Sequence, residues 1–332
     1  MNTNEGIRRR LDKRFPKLAV IGFVICCLGF STLPAQAFDI LLGVGERGTF
    51  SYFTGRIISR IINQSVDDVQ CKIAPAMGDV DNLTNLRGGS LDVALIDSRT
   101  FYDALNKKER FEFLDISYEN LRVLTPLYQM PYTLVVRNDA AIAALDDIKG
   151  ERLNAGAPMS AEHLVVDAIL EMKGWTSKDF ELFEELPASH SQDSMAFCHG
   201  SIQAMIHIGM HPNDKIQQLL KLCQARLINM NDADIQKRVK DHPGLFQITI
   251  PAHVYASQPE EVATFGVIGL LVASEDMDEQ TVVEIIKALY QNGERLQSAH
   301  PALTLAPKES VDKYTAGGKL HAGAVKFFQE NN

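Results

Sequence analysis

The residues with chemical potential in this 332-residue chain are few and scattered. Gly43-Val44-Gly45-Glu46-Arg47-Gly48 spells G-x-G-x-x-G between an apolar run and a helical pattern. In a dinucleotide site such glycines let the backbone approach a pyrophosphate at a helix start, with an acid about 20 residues further on to hold the ribose. Here the next suitably placed acid is Asp79, 31 residues beyond Gly48, so the pattern does not read as a nicotinamide site. What survives is simpler. A Gly-rich loop running into a helix offers free N–H groups and a positive dipole end to an anion, and Arg47 adds a fork suited to a carboxylate. Ala157-Pro158-Met159-Ser160 repeats the device, with Ser160 as a natural N-cap. Two such loops facing each other describe a receptor for a small carboxylate. His207 and His211 are four apart, but Gly209 and Pro212 break any helix between them, so no metal site is expected. Cys198-His199 is no catalytic pair if the segment is a strand, where neighbours point to opposite faces.

The elements that must position these residues alternate. Strands are expected over 38–44, 69–74, 91–96, 121–127 and 132–136, with helices over 51–64 and 79–86. The pattern then restarts, with strands over 152–155, 202–208, 226–230, 244–251 and 265–273, and helices over 161–173, 216–223 and 282–299. Repeated β-α-β units with apolar strands predict parallel sheets covered on both faces. No Pro-, Gly- or Ser-rich linker divides the halves, which predicts two α/β lobes joined by crossing strands, with a ligand held in the cleft between them. Asp79 is expected to cap its helix, and Glu162 suits a first helical turn through the dipole.

Composition narrows the function classes. Apolar residues make up 45% and charged residues 23%, as in ordinary globular proteins. Residues 1–37 read as a secretory signal: a basic stretch, an apolar stretch over 18–30, and Ala35-Gln36-Ala37 as a cleavage pattern, so the exported chain is expected to start at about Phe38. Six of the 33 basic residues and two of the 42 acidic ones lie in that segment, leaving a formal charge of −13 beyond it. A nucleic-acid partner is therefore excluded, since it would need a basic face. Cys71, Cys198 and Cys223 remain, enough for one intrachain bridge or three buried thiols.

Several segments together carry a family resemblance: 43–55 (GVGERGTFSYFTG), 78–97 (GDVDNLTNLRGGSLDVALID), 148–160, 198–204, 209–212, 250–255 and 320–324. In their order and spacing the chain resembles the TAXI-type solute receptors of tripartite ATP-independent periplasmic (TRAP) transporters over 38–330. The resemblance implies a type II-like, two-lobed periplasmic-binding-protein fold. Lobe one is expected over 38–135 with 253–332, and lobe two over 136–252. It implies a periplasmic receptor, not an enzyme, without cofactor or metal. Such a receptor captures a small carboxylate or amino acid, glutamate-like, and delivers it to TRAP membrane permease subunits. The ligand positions it implies are Arg47, Thr49 and Tyr52 in the first loop, Asp79 and Asn82 in the second, Asp97, Tyr128, Ser160 and Glu162, and Gly209 with His211. Asp79, Asp97 and Glu162 stand where the family commonly has neutral residues, which favours an amine-bearing ligand over a plain dicarboxylate. An exported enzyme on the same scaffold and a ligand-presenting sensor are the alternative readings.

Overall fold

The computed structural model describes residues 38–188 and 191–330; the expected signal segment lies outside the described residues. The chain opens with β1 (Phe38–Val44), α1 (Phe50–Ser65), β2 (Val69–Pro75), α2 (Asp79–Arg87), β3 (Val93–Asp97) and α3 (Ser98–Leu105). β1 pairs in parallel with both β2 and β3, as the β-α-β pattern dictates. The helical face of α1 carries Ile58, Ile61 and Ile62, all fully buried against Ile40 and Leu42 of β1. The α3 helix lies where no helix is expected. Asp97 starts it by accepting the Thr100 N–H (2.8 Å), and Phe101 with Ala104 supplies a short apolar face.

β4 (Leu121–Arg137) is one strand of 17 residues where the sequence suggests two. Pro126 and Pro131 interrupt the sequence pattern, and the strand survives them with register shifts against β10 at Gly269/Leu270 and Leu271/Val272. The first part of β4 pairs with β10 (Val262–Ser274) in the sheet ordered β2-β1-β3-β10-β4. Its last part pairs with β7 (Ala204–Ile208) and β8 (Ala225–Ile228) of a second sheet, which β5 (Arg152–Asn154) and β6 (Leu182–Glu184) complete. β9 (Phe246–Ile250) runs along β10.

The sheets are mixed, which corrects the expectation of parallel ones. β10 is antiparallel to β3 and to β4, and β4 is antiparallel to β7. The reason is topological: one strand leaves the first lobe and another returns to it, so the two must run in opposite directions. Each sheet is covered on both faces. α1 with α8 (Glu279–Gln291) and α10 (Ala322–Glu330) pack on one side of the first, and α2 with α3 on the other. α4 (Ala161–Lys173) and α7 (Ala233–Asp241) face α5 (Ser191–Cys198) and α6 (Asp214–Leu222) across the second.

Two further differences have local causes. The helix expected over 282–299 is broken into α8 and α9 (Gly293–Ala299), because the Asn292 side chain donates to Ala288 O (2.8 Å) and ends the first. Cys198 ends α5 rather than lying on a strand, and a disulfide ties it to Cys223 at the end of α6, with Cα atoms 4.6 Å apart. Cys71 is a buried free thiol, its pKa pushed up to about 11 by burial.

Candidate functional site

The C-terminal ends of β1 and β3 hold the first group of expected ligand residues. Asp79 is the first residue of α2, whose N-cap is Gly78, so it does not cap its helix as expected. Its Oδ2 instead accepts the backbone N–H of Asp97 (2.7 Å), tying the second loop to the third strand. Burial, and then the charge of Asp97, push the Asp79 carboxyl well above the usual carboxylate range. Asp97 spends both oxygens on Thr100, accepting its N–H and its hydroxyl (2.6 Å). Tyr128 stands close enough to both acids for their charges to join burial in raising its hydroxyl. Tyr132, four residues further along β4, is raised by burial and by Asp97, with the Arg99 charge acting in the opposite direction. Asn82, on the same face of α2 as Asp79, is fully buried against Gly43; neither its Oδ1 nor its Nδ2 has a partner among the described residues.

Tyr128 is fixed from two sides. Its ring lies over the Cα of Gly269, the residue it pairs with on β10. The Phe50 ring meets it edge-on with centroids 5.3 Å apart, and Phe50 in turn meets His300 at 5.4 Å. His300 Nε2 lies 3.0 Å from Pro212 O, so the start of α1, the shared strand and the loop after β7 adjoin one another.

His211 sits in that loop, buried, before a cis bond to Pro212. Its Nδ1 lies 2.5 Å from the Tyr255 hydroxyl, which accepts the Asn213 N–H (2.9 Å), and its Nε2 lies 2.9 Å from Thr133 Oγ1. Burial holds the imidazole neutral by lowering its pKa to about 4.

A cavity of about 390 Å3 opens beside these residues, lined by Tyr128 and His211 together with residues outside the expected ligand positions. Those are Ile248 to Pro251 at the end of β9, Val254, Pro301 to Pro307, and Tyr314. Ile248 to Pro251 fall in an expected strand and Val254 in a segment of the family resemblance, whereas the only signal in Pro301 to Pro307 is its prolines.

The remaining expected residues lie elsewhere. Arg47 is exposed and lines a separate open groove of about 670 Å3 with Glu46, Pro75, Met77 and Asp81. Thr49 caps α1, accepting the Tyr52 N–H (3.2 Å) and donating to Glu46 O (2.7 Å). Tyr52 is half-buried against the first core. Ser160 caps α4 through the His163 N–H (3.2 Å), and Glu162 stands in its first turn beside Gly156. At Gly209 a β-carbon would come within 2.8 Å of His207 Nε2. The structure thus joins Asp79, Asp97 and Tyr128 in one cluster and Tyr128 and His211 in one cavity.

The NMT1-like family matches residues 42–331, and the chain belongs to it. Among solved structures the chain is similar to a TctC solute-binding protein from Polaromonas, with a TM-score of 0.57 and 13% identity over 88% of this chain and 96% of that one. It is also similar to PhnD1 from Prochlorococcus marinus, solved in complex with methylphosphonate, with a TM-score of 0.51 and 12% identity over 89% and 97%. The periplasmic sulfonate-binding protein SsuA from Methylobacillus flagellatus matches with a TM-score of 0.50 and 12% identity over 89% and 85%. The fold is the two-lobed α/β fold of periplasmic binding proteins.

Proposed function

We propose that this member of the NMT1-like family is a periplasmic solute-binding receptor that captures a small organic acid or amino acid between its lobes and delivers it to a membrane permease. The observation that carries this reading is the cavity between the shared strand and the loops of both sheets, lined by Tyr128 from β4 and His211 from the loop after β7. Strands passing between two lobes let them close on a solute by a small rotation. The lobes are taken as 38–135 with 253–332, and 136–252. The segment resemblance to TAXI-type receptors argues for a TRAP permease as the partner and a glutamate-like solute. The Cys198–Cys223 bridge fits an oxidising compartment such as the periplasm.

Two measurements test the reading. A native mass spectrum of protein purified from the periplasm is expected to show a bound small molecule. That molecule, added back at a hundredfold excess over Kd, is expected to stabilise the fold by about 2.7 kcal/mol and to reduce the radius of gyration in small-angle scattering. A solute that binds tightly without contraction would refute capture by closure.

A further inference from the structure

The lining of the cavity at Tyr128 and His211 has a chemical bias. Its apolar wall includes Pro126, Leu127, Ile248, Ile250, Pro251 and Leu305, and no Lys, Arg, Asp or Glu is among the described residues that line it. The volume of about 390 Å3 lies in the range of small-molecule pockets, roughly 300–1,000 Å3. Its one imidazole cannot serve as a cation. Both His211 nitrogens are engaged, by Thr133 and by Tyr255, and burial keeps the ring neutral. A carboxylate placed there would lose its water and gain no ion pair, which is costly in a buried site. An apolar group would gain by the same desolvation.

We propose that this cavity receives an aromatic or branched aliphatic group of the solute, so that the receptor prefers small acids or amino acids with an apolar side chain over those with a second carboxylate. The inference rests on the receptor reading of the same site and departs from the glutamate-like solute that the segment resemblance suggests. It places the polar end of the solute toward Tyr128, which lines the cavity and lies close enough to Asp79 and Asp97 to feel their charges.

The test is titration calorimetry on the purified protein with phenylalanine, leucine, phenylacetate and 4-methyl-2-oxopentanoate, against glutamate and 2-oxoglutarate. At least one of the first four is expected to bind tenfold or more tightly than either of the last two. Thr249 lines the cavity from an exposed position of β9, where a large side chain is tolerated in a strand. Thr249→Trp should therefore weaken that solute at least tenfold, while Gln247→Trp, exposed on the same strand but away from the cavity, should not. Preference for glutamate or 2-oxoglutarate overturns the inference and leaves the receptor reading standing. A favoured apolar solute that binds folded Thr249→Trp unchanged also overturns it. Binding of no solute in either class overturns both. Should Thr249→Trp fail to fold, the order of affinities decides alone.

Discussion

Gly269 sets the position of the tyrosine on which both parts of the candidate site depend. A β-carbon there would sit 2.3 Å from Tyr128 Cζ, 2.4 Å from Cε2 and 2.7 Å from Cε1. Carbon atoms settle at about 3.5–4.0 Å, so the ring would have to move by about an ångström or more. Its freedom is limited to the cavity it lines: Tyr128 is 6% exposed, with Phe50 at its edge and Leu124 and Leu127 in the same core. Overpacking of this kind costs about 1–3 kcal/mol, and removing a glycine from the unfolded chain returns up to about 1 kcal/mol. Gly269→Ala is therefore expected to destabilise the protein by about 1–2 kcal/mol. Tyr128→Ala alone should cost about 3–5 kcal/mol through its cavity. With the ring gone the three nearest contacts of the methyl group go too, so Gly269→Ala added to Tyr128→Ala should be neutral or slightly stabilising. The coupling between the two sites is then about 1.5–3 kcal/mol, measurable by urea denaturation of the four proteins at one pH. Additivity within about 0.5 kcal/mol would refute the contact as the reason for glycine here.

Three more perturbations probe the same framework. The Cys198–Cys223 bridge closes a loop of 25 residues, so Cys198→Ser with Cys223→Ser should cost about 3.5 kcal/mol; a loss below about 1 kcal/mol in urea melts would show that other contacts hold α5 to α6. Burial lowers His211 to about 4 and His207 to about 3, so neutral imidazoles stabilise fully above about pH 6.5, and that contribution drains as pH falls toward 4. His211→Gln should flatten part of the acid-side loss in thermal melts, and unchanged slopes would count against a buried neutral ring. The folded Asp79 carboxyl is raised instead, so its contribution is complete below about pH 3.9 and is lost as pH climbs through the folded value. Asp79→Asn keeps an acceptor for the Asp97 N–H and cannot ionise; it should lose less stability than the native protein between pH 4 and pH 8, and parallel curves would refute the shift.

How much of this was legible in the sequence depends on how local the signal is. α4 begins and ends where its period and caps require, from Ser160 to Gly174. β1 and α2 are equally local, and their expected starts hold. The 17-residue β4 was hidden because Pro126 and Pro131 are local breakers, while the pairing that carries the strand past them comes from β10, more than a hundred residues later. The same limit applies to the site. Asp79 and Asp97 are 18 residues apart and meet only because α2 returns the chain to the strand beside β1. Pro301 to Pro307 has no period at all, so nothing in it announces that it walls a cavity with Tyr128.

The acids near the strand ends invite a reading in which an unneutralised negative patch selects an ammonium group. The geometry weakens that reading. Asp97 commits its carboxylate to starting α3, and Asp79 commits an oxygen to the Asp97 backbone while burial favours its neutral form. Glu162 stands in the first turn of α4, where the helix dipole already accommodates its charge. Thr49 and Ser160, at the two loops, accept helix N–H groups. These polar atoms are thus employed in holding the loops, while Asn82 keeps unpartnered amide atoms and Arg47 is exposed. On the proposed reading, the apolar walls beside Tyr128 and His211 distinguish solutes by shape and by the cost of stripping water from a charge. Selectivity by desolvation follows from the same hydrogen bonds that make the scaffold rigid.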